Sequence, residues 1–180
     1  MKTIVVYTSQ TGFTKRYAEW IAQEVGAELC TLAQAKKKDV SGYDAIIFGG
    51  WACAGSIHGI SWFKKHINQW KGKKLIAFCV GASPSDNPEI EQALNKNFTA
   101  EERRAVNVFY CPGGLNYAKM PAPSRVMLKL FYKTLNAKKD KTEQEIMMMK
   151  VLLTSYDISD KACIAPILAC LTGKNAQSRR

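Results

Sequence analysis

Acidic residues are scarce in this chain. Its 180 residues carry 15 Asp and Glu against 26 Lys and Arg, a formal charge of +11 at neutral pH. Nucleic acid, an anionic membrane surface and acidic substrates all match that sign. The basic residues are spread along the chain (Lys36-Lys37-Lys38, Lys64-Lys65, Arg103-Arg104, Lys138-Lys139) without an RNA-binding or helix-turn-helix signature, so nucleic acid is the weaker partner. Long apolar runs are missing as well. The apolar run Ala45 to Ile57, bounded by His58, falls short of the ~18 residues that argue for a membrane span. The first residues are unlike a signal peptide, and an intracellular location is expected. The cysteines (Cys30, Cys53, Cys79, Cys111, Cys163, Cys170) form no Cys-x-x-Cys pair and have no nearby histidine, which speaks against zinc and iron–sulfur sites; no metal is expected. Most read as small buried side chains, with Cys53 in a loop as the exception. There is no Gly-x-Ser-x-Gly elbow, no pair of catalytic carboxylates and no Cys/His pair, so nothing points to a hydrolase.

What the chain does have is Thr8-Ser9-Gln10-Thr11-Gly12-Phe13-Thr14, set between the apolar run Ile4–Tyr7 and an amphipathic segment. Strand, hydroxyl-rich turn and helix is an arrangement that binds phosphate, because turn amides and free helix N–H groups converge on the anion. Thr8, Ser9, Thr11 and Thr14 add hydroxyls, and Gly12 lets the backbone approach. The loop is neither Gly-x-x-x-x-Gly-Lys-Ser/Thr nor Gly-x-Gly-x-x-Gly, which excludes an NTP P-loop and a dinucleotide fingerprint. On its own, the stretch is also compatible with a capped helix start that holds no ligand.

Five short apolar segments read as strands: Ile4–Thr8, Ala27–Leu32, Ala45–Gly49, Leu75–Val80 and Val106–Tyr110. Helices are predicted over Thr14–Val25, Gly59–Trp70 and Glu89–Asn97, with Lys36–Ser41 as a polar connection. Strands that alternate with helices and are apolar on both faces predict an α/β fold, a doubly wound five-stranded parallel sheet. Its ligands would lie beyond the carboxyl ends of the strands. The expectation is one domain over residues 1–180, with a helical insertion after strand five at about 112–154. Helices are predicted within it over Ser124–Asn136 and Thr142–Thr154. A last helix, about Ser159 to Leu171, should be kinked by Pro166.

The loop after strand three runs Gly50-Trp51-Ala52-Cys53-Ala54-Gly55-Ser56-Ile57-His58-Gly59. Such small residues allow backbone to lie along a flat ring, and Trp51 either stacks on that ring or packs into the core. After strand four come Gly81-Ala82-Ser83-Pro84, and after strand five Gly113-Gly114-Leu115-Asn116-Tyr117. His58 and Tyr117 are the proton-handling candidates, although a lone histidine is more often a structural hydrogen-bonder. A phosphate anchor with loops suited to a flat ring suggests that a cofactor does the chemistry, and FMN fits.

The strand–Thr8-to-Thr14–helix unit resembles the flavodoxin phosphate loop. Gly49 to Gly59, Val80 to Pro84, and Cys111 to Met120 followed by a basic helix look like the flavodoxin-domain family of the bacterial menaquinone-dependent protoporphyrinogen oxidase. The resemblance implies FMN, quinone-linked oxidoreductase chemistry and peripheral attachment to the cytoplasmic face of the cell membrane. By it, Thr8, Ser9, Gln10, Thr11, Gly12, Phe13 and Thr14 would hold the FMN phosphate. Gly50, Trp51, Ala52, Cys53, Ala54, Gly55, Ile57, Gly81, Ala82, Ser83, Gly113, Gly114, Asn116 and Tyr117 would surround the isoalloxazine. Electron-carrier flavodoxins are usually acidic and place an aromatic residue after strand four; this chain is basic and has Ala82-Ser83-Pro84 there.

In the insertion, Arg125, Lys129 and Lys133 form a cationic line, and Met127, Leu128, Phe131 and Leu135 an apolar stripe. This helix either meets an anionic membrane or packs onto the domain. Three functions stay open. The first is an FMN oxidoreductase acting on a porphyrinogen-like or other planar substrate with quinone as acceptor. The second is an electron-transfer flavodoxin serving a redox partner, without its own substrate. The third is a basic lipid- or nucleic-acid-binding module lacking flavin.

Overall fold

The computed structural model describes residues 1–173, with the side chain of Gln144 outside that description; residues 174–180 of the expected domain lie outside it too. The central strands are β1 (Thr3–Tyr7), β2 (Glu28–Thr31), β3 (Ala45–Cys53), β5 (Lys74–Gly81) and β6 (Val106–Pro112), with β4 (Ser56–Ile57) as a short arm on β3. The five run parallel in the order β2-β1-β3-β5-β6. Successive side chains alternate across the sheet. Ile4, Val6, Ile46, Phe48, Leu75 and Ala77 enter one core layer. Val5, Ile47, Ile76 and Phe78 enter the other. Helices cover both faces, which is why the strands read as continuous apolar runs. On one side α1 (Phe13–Val25) buries Tyr17 and Ile21, and α8 (Ala165–Thr172) buries Ile167 and Leu171. On the other, α3 (Ile60–His66) contributes Ile60 and Phe63, followed by a 3-10 turn that buries Ile67 and Trp70.

Strand order reverses between β1 and β3, since β2 lies on one side of β1 and β3 on the other. The loops that leave the carboxyl ends of these two strands therefore border the crevice where such folds take ligands.

Several boundaries differ from those expected. β3 does not stop at Gly49 but continues to Cys53 and turns back into β4 through Ala54 and Gly55, both at positive φ (50° and 77°). The small residues that read as loop are strand because Gly49 and Gly50 lie against neighbours: a Cβ on Gly49 would meet the Phe78 ring at 2.1 Å. Two short helices went unpredicted, α2 (Leu32–Ala35) and α5 (Ala100–Ala105), each opened by a capping box, Thr31 with Gln34 and Thr99 with Glu102. α4 (Glu89–Asn95) is slightly shorter than expected. Pro166 does not kink the last helix; it lies in the first turn of α8, where its missing N–H costs nothing.

The insertion has a neck. β7 (Gly114–Leu115) pairs antiparallel with β8 (Tyr156–Asp157), so the excursion runs from 116 to 155 rather than 112 to 154. It contains α6 (Ala122–Ala137) and α7 (Glu143–Val151). Arg16 of α1 braces the neck through Asp157 (2.6 Å) and the Ser159 hydroxyl (3.2 Å). The apolar stripe expected on α6 divides: Leu135 is buried and Leu128 half-buried, whereas Met127 and Phe131 face outward beside Val126 and Leu130, the last 59% exposed. Ile146, Met147 (69% exposed) and Val151 of α7 are exposed apolar residues as well.

Arg103 of α5 has its Nη1 buried without a hydrogen-bond partner among the described residues. It lies in a cleft of about 420 Å³ lined also by Asn87, Leu94 and Val108. An unpaired buried donor destabilises, so Arg103→Met, which keeps the stem, is expected to raise stability by about 1 kcal/mol in a denaturant melt. A loss of that size would instead mean that the guanidinium is satisfied in solution.

Candidate functional site

The first loop is built around Gly12. It caps α1 at φ 105°, a left-handed conformation that glycine tolerates, and nothing lies within 4 Å of where a Cβ would project. The Thr8 N–H donates to Gly49 O (3.0 Å), joining the ends of β1 and β3, and the Ser9 hydroxyl accepts from the Gly12 N–H (3.2 Å). No acceptor among the described residues meets the N–H groups of Gln10, Thr11, Phe13 and Thr14, and the hydroxyls of Thr8, Thr11 and Thr14 make no hydrogen bond there. The Phe13 side chain is core, so only its N–H can serve a ligand. The Gln10 side chain is tied to α6, its Nε2 donating to the Ser124 hydroxyl (3.0 Å). Of the cations that follow the loop, Lys15 pairs with Glu19 and Arg16 is engaged at the neck. What remains is a cradle of neutral donors at a helix start, a donor set that fits a phosphate.

The β3–β4 hairpin places the second group of residues. Trp51 and His58 stack face to face, ring centroids 3.8 Å apart and tilted by 14°, and the His58 N–H donates to Trp51 O (2.9 Å). His58 thus covers one face of the indole, a packing role beside the proton-handling one expected. Ala52, Ala54 and Gly55 are exposed and Cys53 half-buried along the hairpin. Ile57, expected at the cofactor, is 2% exposed and belongs to the core. Gly50 is buried, and a Cβ there would lie 2.4 Å from His58 O, so it serves strand packing.

Tyrosines hold the loops after β5 and β6. The Tyr110 hydroxyl donates to Ser83 O (2.8 Å) and accepts from the Ser83 N–H (3.1 Å); the Tyr156 hydroxyl donates to Ala82 O (2.7 Å). Burial raises both phenols above their ordinary pKa, which keeps them neutral donors. Gly81 stays small because a Cβ would meet the Tyr110 hydroxyl at 2.6 Å, and its carbonyl accepts from the Gly113 N–H (2.7 Å). Gly114 sits at φ 133°, with Tyr156 O only 2.2 Å from the Cβ position. Asn116 is a cap, its side chain accepting from the Lys119 N–H (3.1 Å), while the Tyr117 N–H is bound by Ser155 Oγ (3.0 Å). Tyr17, wholly buried in α1, donates to Pro112 O (2.6 Å) and accepts from the Asp160 N–H (2.9 Å).

The structure therefore brings the first loop, the hairpin and the two tyrosine-held loops to the same carboxyl edge of the sheet. Tyr17, Tyr110, Tyr156 and Asn97 are organising residues that the sequence did not reveal. Of the cysteines, Cys30, Cys79 and Cys111 are buried, and burial pushes the Cys79 thiol up to about 12; Cys163 and Cys170 are only partly covered.

A family described as "Flavodoxin domain" matches residues 4–143. No curated protein matches the chain. Among solved structures, two-electron reduced Megasphaera elsdenii flavodoxin is similar at 22% identity over 67% of this chain and 89% of its own, TM-score 0.45. A Lactobacillus acidophilus flavoprotein in complex with FMN shares 22% identity over 62% and 91%, TM-score 0.39. A flavodoxin, WrbA-like protein from Agrobacterium tumefaciens shares 20% over 61% and 82%, TM-score 0.39.

Proposed function

This chain belongs to the flavodoxin domain family, and we propose that it oxidises a planar hydrophobic substrate of the porphyrinogen kind, with a quinone as acceptor. It is an FMN-binding, flavodoxin-like redox protein. When bound, FMN supplies the electron chemistry. The chain's own residues supply the rest. N–H groups and hydroxyls from Thr8 to Thr14 hold the phosphate, the hairpin from Trp51 to Gly55 borders the ring, and Tyr110 and Tyr156 keep Ala82 and Ser83 in place.

One observation carries the preference for a substrate over simple electron carriage. The loop after β5 opens with Ala82 and Ser83, pinned by two tyrosine hydroxyls, and carries no aromatic side chain as far as Pro88, so none there screens the ring. A second supports the membrane as the place of work. Exposed apolar residues on α6 and α7 lie beside Arg125, Lys129 and Lys133, which suits an interface with anionic lipid. No helix among the described residues is long and apolar enough to cross a membrane, so attachment would be peripheral.

The purified protein is expected to be yellow, to release FMN on denaturation, and to turn over protoporphyrinogen only when a quinone is added. A flavin-loaded protein that exchanges electrons with a redox protein yet never oxidises the porphyrinogen would be a carrier. A colourless protein with no affinity for FMN would remove the flavin assignment.

A further inference from the structure

We propose that Asn97 is a positioning residue for the flavin site, holding the β3–β4 hairpin in one backbone geometry beside the ring. The inference rests on the FMN-binding reading above. Asn97 follows α4 and is 9% exposed, one of few buried polar residues among those described. A primary amide has two donor hydrogens and two acceptor positions. Asn97 uses all four. Its Nδ2 donates to Gly55 O (3.0 Å) and Ala93 O (2.7 Å), and its Oδ1 accepts from the Ile57 N–H (2.8 Å) and the Ser56 hydroxyl (3.3 Å). Three of these bonds reach consecutive residues of the hairpin. The anchor is itself anchored: Lys64 Nζ donates to Asn97 O (2.7 Å) and pairs with Glu102 (3.0 Å), so α3 and α5 both brace it.

The hairpin needs such a brace. Its reversal is made by Ala54 at φ 50° and Gly55 at φ 77°, and the left-handed region is unfavourable for alanine. Strained backbone persists only where the surroundings over-determine it. Asn97 supplies that over-determination through Gly55 and the two residues that follow it. Peptide dipoles fixed next to a redox-active ring favour one of its charge states over the other, because they do not reorient when the charge changes. A hairpin free to rearrange would respond to either state and discriminate less.

The test uses the full chain and the variants Asn97→Ala and Lys64→Met. Without FMN, amide hydrogen exchange at Ile57 should accelerate at least tenfold in Asn97→Ala, while amides of β1 and β5 keep their wild-type rates. With FMN, the affinities for the oxidised and reduced forms should change unequally. A tenfold difference between them would appear as a shift of ~30 mV in the two-electron midpoint potential. Lys64→Met leaves the amide in place and loosens its anchor, so it should move both readouts the same way by less; it also serves if Asn97→Ala does not fold. Unchanged exchange at Ile57 in a folded variant would overturn the proposal. So would faster exchange with both flavin forms bound as in wild type, which would separate the hairpin from the ring and leave the FMN reading standing. A wild type that takes up no FMN would sink that reading and this inference together.

Discussion

Replacing Thr11 and Thr14 together by alanine is expected to weaken FMN binding about a hundredfold or more and to leave riboflavin binding nearly unchanged. The loop holds no lysine or arginine, and the adjacent Arg16 is drawn to Asp157 and Ser159. Phosphate binding thus falls to backbone N–H groups and hydroxyls. A hydrogen bond to a charged group contributes roughly 1.5–3 kcal/mol, so losing two costs about 3–6 kcal/mol, a factor of ~10² to 10⁴. The N–H groups of Gln10, Thr11, Phe13 and Thr14 survive the substitutions, which sets a floor to the loss. Riboflavin lacks the phosphate and never meets these hydroxyls, so it reports whether the ring side of the site is intact. Fluorescence titration with both flavins, beside a thermal melt because Thr14 is only 1% exposed, checks the assignment. Equal wild-type affinity for FMN and riboflavin would exclude the loop as the phosphate site.

The parallel sheet was legible because each strand is buried on both faces, and the strand–turn–helix unit around Thr8 to Thr14 because its polar turn lies between an apolar run and an amphipathic segment. Other features were hidden for physical reasons. The β3–β4 hairpin turns on Ala54-Gly55, which lacks the Asn-Gly or Asp-Gly signal of a two-residue reversal, and the residues that follow its left-handed alanine bond to Asn97, Ile57 from 40 residues away. The hydroxyls of Tyr110 and Tyr156 meet Ser83 and Ala82 across 27 and 74 residues, separations that leave no periodic trace. The capping boxes of α2 and α5 were present in the sequence, but helices of four and six residues carry no hydrophobic period to go with them. On α6, periodicity revealed two apolar sides without telling which lies on the protein. Packing turned Leu128 and Leu135 inward and left Met127 and Phe131 outside.

That outward surface leads to the second large effect. Changing Arg125, Lys129 and Lys133 to glutamine should reduce partitioning onto anionic vesicles by about a hundredfold at low salt. Each cation neighbours an exposed apolar residue along the chain or one helical turn away: Arg125 stands before Val126, Lys129 before Leu130, and Lys133 three residues after Leu130. Cations thus line the edge of an apolar strip, so the strip can enter the headgroup region while the charges stay at the phosphates. Each basic residue near such a surface contributes about 1 kcal/mol, and three together account for roughly a hundredfold. Salt should act in the same direction, since the Debye length shortens to about 8 Å at physiological ionic strength. Replacing Leu130 and Phe131 by serine tests the other half of the contact, because the binding that persists at high salt should then disappear. Both sets of variants should keep the wild-type flavin spectrum, as α6 touches the phosphate loop through the Gln10–Ser124 bond and these residues lie beyond it. Vesicle cosedimentation decides the matter. A wild-type protein that stays in the supernatant at low salt would rule out the membrane and leave the apolar face of α6 and α7 to a protein partner.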